Sequence, residues 1–470
     1  MKKYLAFATL LFVAFGCSTG EKVEWVGTTN DQPWVSLTGA EVNSGTSNSS
    51  AIVIQTDSAQ QIIDGFGGCF NELGWDALQS LTVENRQEVS KNLFDMHSGC
   101  KFTVCRMPIG ANDYAVNWYS HNETANDYEM KNFSLDRDKQ RLIPYIKMAQ
   151  TFNPEMKVWA SPWCPPSWMK TNNHYACASN PQFNDLPADR QGQEMNTQFR
   201  MEPKVLTAYA LYFEKFIKGY ENEGIKISAV HVQNELNSCQ NFPSCIWTPK
   251  DMATFIGGYL GPKFKADSIQ TQIWLGTIER PQIERVDSIL LNPEAGKYIK
   301  GVGFQWAGKG AIAEVHRKYP ELKLMQSETE CGDGSNDWAA AEHTFDLMKH
   351  YFKNGANAYM YWNMVLDETG KSQWGWKQNS MISIDKASGK VTYNPEYYLM
   401  KHLSYFVEPG SKYIPVSSDE NCLAFVKDQQ LVLIYYNAAN ESKKTSFTVK
   451  DKTITVNFKP KSFNTIKLKI

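Results

Sequence analysis

The chain has 470 residues, room for one large barrel and a modest second module. Its formal net charge of -2 and pI of about 6.5 exclude the basic footprint that neutralising a nucleic-acid backbone requires. Aromatic residues make up 13%, with 14 Trp and 22 Tyr, and flat rings in that number suit sugar stacking as well as core packing.

The amino terminus opens on Met1, Lys2 and Lys3, followed by an apolar run from Tyr4 to Gly16. A positive start and a run too short to span a bilayer predict a secretory signal over residues 1–16. Val13 and Ala14 ahead of Gly16 and Cys17 resemble a bacterial lipoprotein cleavage box. Lipidation at Cys17 and a place in the cell envelope are therefore expected, with ordinary cleavage to a soluble exported protein as the alternative. Residues 17–50, rich in Ser, Thr, Asn and Gly, are expected to form a tether and an irregular segment. Nine of the ten cysteines follow Cys17, an odd number that cannot all pair internally. Cys239 and Cys245 share a loop in which an oxidising compartment permits a local disulfide, whereas Cys69, Cys105 and Cys164 read as buried free thiols. No Cys-x-x-Cys pair or His-Glu-x-x-His helix is present, so no metal or other cofactor is expected.

Ala51 to Thr56 reads as a strand. From residue 62 to 406 short apolar runs alternate with amphipathic stretches, the signature of parallel βα units. Eight runs are counted: Gly65 to Phe70, Phe102 to Pro108, Lys157 to Ser161, Ile227 to Gln233, Ile273 to Thr277, Val302 to Gln305, Leu322 to Gln326 and Ala358 to Asn363. The clearest helices are Val205 to Tyr220 and Ala339 to Phe352. Eight such units predict a (β/α)8 TIM barrel over 62–406. After Tyr397 to Phe406 the pattern changes to alternating strands, at Leu431 to Tyr436, Thr445 to Val449, Ile454 to Phe458 and Ser462 to Leu468. Residues 51–61 and 407–470 together predict an attached β-sandwich.

In such a barrel the reacting groups sit at the carboxyl ends of the strands. Glu235 follows the fourth run and Glu328 the seventh, nearly opposite across the mouth. Two facing carboxyls are what acetal hydrolysis needs: one donates a proton to the departing oxygen and the other meets the anomeric carbon. Glu235 is read as general acid/base and Glu328 as nucleophile, with Asn234 placed to hold a substrate hydroxyl. Glu330 competes with Glu328, because alternation along a continuing strand would send both to one face.

Several segments share one order along the chain: Asp64-Gly-Phe-Gly-Gly68, Arg106-Met-Pro-Ile-Gly-Ala-Asn-Asp113, Ala160-Ser-Pro-Trp163 with Pro166-Ser-Trp-Met-Lys170, Gln233-Asn-Glu235, Gln326-Ser-Glu328 and Tyr361-Trp-Asn363. Together they resemble glycoside hydrolase family 30, which includes glucosylceramidases and β-1,6-glucanases. The resemblance implies the same two glutamates in the same roles and a β-sandwich drawn from both sides of the barrel. It also implies sugar contacts at Arg106, Asp113, Trp163, Asn234 and Trp362, with Arg106 bonded to Glu328 and the tryptophans as stacking faces. One departure stands at Phe304-Gln-Trp-Ala-Gly308, where glucosylceramidase-like members tend to carry His-x-Tyr. Gln305 and Trp306 look instead like those of polysaccharide-acting relatives, and Trp306 joins the expected substrate-binding set.

The expected activity is therefore a retaining endo-β-1,6-glucanase acting on β-glucan or another β-glucoside. The alternatives are an exo-acting β-glucosidase or glucosylceramidase, a xylan or fucoside enzyme and, in a different class, a catalytically inactive carbohydrate-binding lipoprotein. The loop from Asn172 to Arg200 borders the same barrel face.

Overall fold

The computed structural model describes residues 23–45, 50–416 and 419–470; the expected signal at 1–16 and the lipidation site Cys17 lie outside them. Eight parallel strands close into a barrel in chain order: Gly65–Cys69, Val104–Pro108, Lys157–Ser161, Ile227–His231, Gln272–Ile278, Ile299–Gln305, Lys323–Glu328 and Ala356–Asn363. Each of the eight apolar runs thus becomes a barrel strand, numbered one to eight below. Strand one is glycine-rich for a steric reason. A Cβ on Gly67 would overlap the Val104 carbonyl of strand two, so only glycine lets the two pass at this distance.

Helix Pro203–Asn222 begins with a proline, whose missing N–H is no loss in a first turn. It buries Leu206, Tyr209, Phe213, Phe216, Ile217 and Tyr220 against the barrel. Helix Trp338–Lys353 is capped by Asp337, which accepts from the Ala340 N–H, and buries Phe345, Leu347, Met348 and Phe352. Strand eight is followed by an unexpected three-stranded sheet of Val365–Asp367, Ile382–Asp385 and Lys390–Tyr393.

The β-sandwich pairs two sheets. Across the larger sheet lie Lys412–Ile414, Cys422–Lys427, Gln430–Asn437, Ser462–Lys469, Glu24–Thr28 and Val35–Leu37; across the smaller lie Glu41–Ser44, Lys452–Phe458, Lys443–Val449 and Ile52–Ile54. Trp25, Ile54, Leu433, Phe447 and Ile466 meet in the core between them. Residues 24–44 were expected to be tether and irregular chain and instead supply three strands. Trp25 explains the difference: its ring is buried and its Nε1 donates to Asn464 Oδ1 at 3.1 Å, a partner that the local polar composition does not reveal.

Among the described residues no helix is long and apolar enough to cross a membrane. The nine described cysteines are free thiols, with Cys69, Cys105 and Cys164 buried. Cys239 and Cys245 form no disulfide; the Cys239 thiol faces the Gly192 carbonyl at 3.3 Å while Cys245 is fully buried.

Candidate active site

Glu328 is the last residue of strand seven and Gln305 the last of strand six, while Arg106 points inward from strand two. Glu235 lies beyond the end of strand four, on a turn pinned by its neighbours. The Asn234 N–H donates to Pro162 O at 2.8 Å, the Gln233 N–H to Gly276 O at 3.1 Å and the Glu235 N–H to Thr277 Oγ1 at 3.0 Å. These bonds hold Glu235 in the left-handed region, at φ 50, where a non-glycine residue carries strain of about 1–2 kcal/mol. Trp306 also lies in the left-handed region, at φ 48.

Arg106 organises the floor. Its Nη1 donates to Glu328 Oε2 at 2.8 Å and to the Ser327 carbonyl at 3.1 Å, and its Nη2 to Asn234 Oδ1 at 2.6 Å and Ser161 Oγ at 3.0 Å. Its guanidinium lies 4.3 Å from the centre of the Trp163 ring. Gln305 Nε2 stands 3.0 Å from Glu235 Oε1 and 3.2 Å from Glu328 Oε2. Its carbonyl accepts from Ser327 Oγ at 3.0 Å, which orients the amide. Trp306 Nε1 donates to the other Glu328 oxygen, Oε1, at 3.2 Å.

Burial pushes both glutamates up. Glu328 reaches about 7, against the opposing charge of Arg106 and with the Glu235 charge adding to the rise; Glu235 rises by burial against the hydrogen bonds of Gln305 and Ser238. Arg106, Gln305 and Trp306 all present N–H groups to Glu328, whereas Gln305 alone does so to Glu235. Donors favour the charged form, so the three donors on Glu328 oppose its rise more strongly than the one amide opposes that of Glu235.

The cavity above them, about 530 Å³, is lined by Asp113, Trp163, Asn234, Glu235, Trp306 and Glu328 among others. Asp113 has a buried Oδ1 without a hydrogen-bond partner, and burial followed by the Glu328 charge drives its carboxyl well above the usual range. It is therefore available to a sugar hydroxyl. The Asn234 carbonyl oxygen is taken by Arg106, Thr277 and Gln305, so what Asn234 offers a sugar is its Nδ2 donor. Trp362 departs from expectation: it is fully buried, 5.4 Å from the Trp163 ring, and does not line the cavity.

Glu330 also stands apart from the cavity. Strand seven ends at Glu328, and Glu330 pairs with Lys309 and, at 3.1 Å, with His343, whose hydrogen bond leads in holding its carboxyl low. The loop from Asn172 to Arg200 acts indirectly: the Cys177 and Ala178 N–H groups donate to the Gln240 carbonyl, buttressing the lining segment Gln240–Phe242. Reading the sequence missed the structural use of Gln305 and overlooked Glu279, which lines the cavity just past strand five. Glu279 carries the same strand-end signal as the two chosen glutamates. Among the described residues no group of three or more His, Cys, Asp or Glu is placed to hold a metal ion.

The chain is 28% identical over 381 residues to "Putative glucosylceramidase 1" of Caenorhabditis elegans, covering 77% of this chain and 69% of that one. It is 26% identical over 365 residues to "Endo-1,6-beta-D-glucanase neg1" of Aspergillus fumigatus, covering 75% and 72%. Its fold superposes on SrfJ from Salmonella typhimurium with a TM-score of 0.85 at 24% identity, over 95% of this chain and 99% of that one. Residues 63–407 match the model of the glycosyl hydrolase family 30 TIM-barrel domain. With the barrel, its paired strand-end carboxyls and that match in agreement, the chain belongs to glycosyl hydrolase family 30 and is a β-glycoside hydrolase.

Proposed function

We propose that this protein is a retaining endo-β-1,6-glucanase, with Glu235 as general acid/base and Glu328 as nucleophile. Gln305 carries the reading. One amide nitrogen reaches both carboxylates, at 3.0 and 3.2 Å, so they stand within two hydrogen-bond lengths, closer than the roughly 6.5–9.5 Å an inverting enzyme keeps for a water. Glu235 gives its proton to the glycosidic oxygen as Glu328 attacks the anomeric carbon, the leaving group departs, and a glycosyl-enzyme ester forms. Glu235, now a carboxylate, takes a proton from water as that water attacks the same carbon and releases Glu328. Arg106 and Trp306 hold Glu328 anionic between turnovers.

The cavity lining favours a sugar over a lipid aglycone. Besides Phe242 and Trp376 it presents Ser238, Gln240, Asn241 and Arg280, polar groups that bond hydroxyls and would be left unsatisfied beside acyl chains. The likeness to the Aspergillus fumigatus endo-1,6-glucanase agrees. The likeness to the Caenorhabditis elegans protein keeps an exo-acting glucosylceramidase as the alternative.

Incubation with β-1,6-glucan, β-1,3-glucan, glucosylceramide and an aryl β-glucoside in parallel decides between them. Oligosaccharides from β-1,6-glucan are expected; monosaccharide alone, or cleavage confined to the lipid or aryl glycoside, overturns the endo-glucanase reading. Glu328→Gln should lose turnover by orders of magnitude while oligosaccharide binding survives. Unchanged hydrolysis would remove Glu328 from the chemistry, and a wild-type protein that binds glucan without cleaving it would be the binding lipoprotein. We also propose export and lipid anchoring at Cys17, on the strength of Val13-Ala-Phe-Gly-Cys17. Cys17→Ser should release the protein from membranes, and wild-type protein already in the soluble fraction contradicts the anchor.

A further inference from the structure

Beside the proposed pair stands a third carboxyl that the two-glutamate mechanism does not use. Glu279 follows strand five, adjacent in the barrel to strand four, and is 1% exposed although it borders the cavity. Its Oε1 accepts the Asn237 N–H at 2.9 Å and the Ser238 hydroxyl at 3.1 Å; its Oε2 lies 3.5 Å from Asn237 Nδ2. Those donors belong to the turn that carries Glu235, which the Ser238 N–H closes by donating to the Glu235 carbonyl at 3.0 Å. Arg280, the neighbouring cation, is 4.0 Å from Glu279 and engages Glu194.

We infer that Glu279 is a positioning residue for the acid/base: it clamps the turn Glu235–Ser238 through Asn237 and Ser238 and sets a second carboxyl beside Glu235. Burial pushes Glu279 up to about 7, with the Glu235 charge the next cause, and repulsion between two like charges acts equally on both partners. The charged groups facing Glu235 are then Glu279 and Arg280 from the strand-five side, Arg106 from strand two, Glu328 from strand seven and Asp113 from the loop after strand two. Removing the Glu279 charge makes the Glu235 proton easier to lose, so the acid is spent at lower pH.

The inference rests on Glu235 being the acid/base, and the test separates the two. In Glu279→Gln, the basic limb of the kcat/KM profile should move about one pH unit toward acid. At pH 7 a glucoside with a poor leaving group should be cleaved roughly tenfold more slowly, while a dinitrophenyl glucoside, whose departure needs no proton, stays within about threefold of the parent. Glu279→Asp keeps the charge on a shorter arm; it should retain the parental basic limb yet lose rate on the poor leaving group. A folded Glu279→Gln with an unmoved basic limb overturns the inference. Should Glu279→Gln fail to fold, parental activity of Glu279→Asp on both substrates overturns it instead. Glu235→Gln is the control: without its own selective loss on poor leaving groups, the acid/base assignment fails first.

Discussion

Glu328 takes hydrogen bonds on both oxygens, Arg106 and Gln305 on Oε2 and Trp306 on Oε1. Trp306→Phe keeps a ring in the cavity and removes one donor to the anion, so the Glu328 carboxyl should rise further. The sign follows: the acid limb of kcat/KM moves to higher pH, with about a tenfold loss below pH 7 that shrinks only as pH rises above it. An unmoved acid limb would show that the indole N–H does not stabilise the charge. The contrast between Trp306 and Trp362 marks what the sequence could disclose at this scale. Both tryptophans follow or end a strand, but one is turned into the cavity by a left-handed backbone and the other is buried behind Trp163. Strand-end position is legible in a run of apolar residues; the direction a side chain takes off an irregular turn is not, as at Glu235, whose turn is fixed by Thr277 and Pro162, far along the chain.

The short turn Trp306–Gly310 after strand six sets where Trp306 stands. A Cβ on Gly308 would overlap the Ile278 carbonyl at the end of strand five, so Gly308→Ala must push the turn and strand five apart. A loss of about 1–3 kcal/mol in chemical denaturation is expected, with activity falling further than stability; parental values for both would show that the turn can give. The barrel strands were legible because each is an uninterrupted buried run with a helix after it, and Pro203–Asn222 because its apolar residues recur at helical spacing. Strands Glu24–Thr28 and Val35–Leu37 were not, since they are short, locally polar and paired with each other or with the far end of the chain. The sheet at 365–393 escaped for the same reason, being built of strands of three and four residues.

At the scale of the molecule, His402 joins the two units. It sits on helix Pro395–Ser404, with Nδ1 2.8 Å from Thr465 Oγ1 and Nε2 2.9 Å from Thr28 Oγ1, one threonine on each of two neighbouring sandwich strands. Burial, aided by Lys401, drives its imidazole down to about 3, so the folded state holds it neutral. A base depressed from about 6.5 contributes its stability in full above that pH and loses it progressively as pH falls towards 3. His402→Gln should therefore melt below the parent at pH 7.5 and close the gap by pH 4.5; a gap that is constant with pH would show that imidazole protonation does not weaken the joint. The threonine on the first strand and the one on the last also expose a matter of timing. Trp25 and its partner Asn464 are 439 positions apart, so during synthesis Glu24–Thr28 can pair early only with Val35–Leu37, and its other edge stays open until Ser462–Lys469 has been made. The barrel can close while that edge still waits, and the arrival of Ser462–Lys469, between Gln430–Asn437 and Glu24–Thr28, then works as a clasp that locks the sandwich onto it.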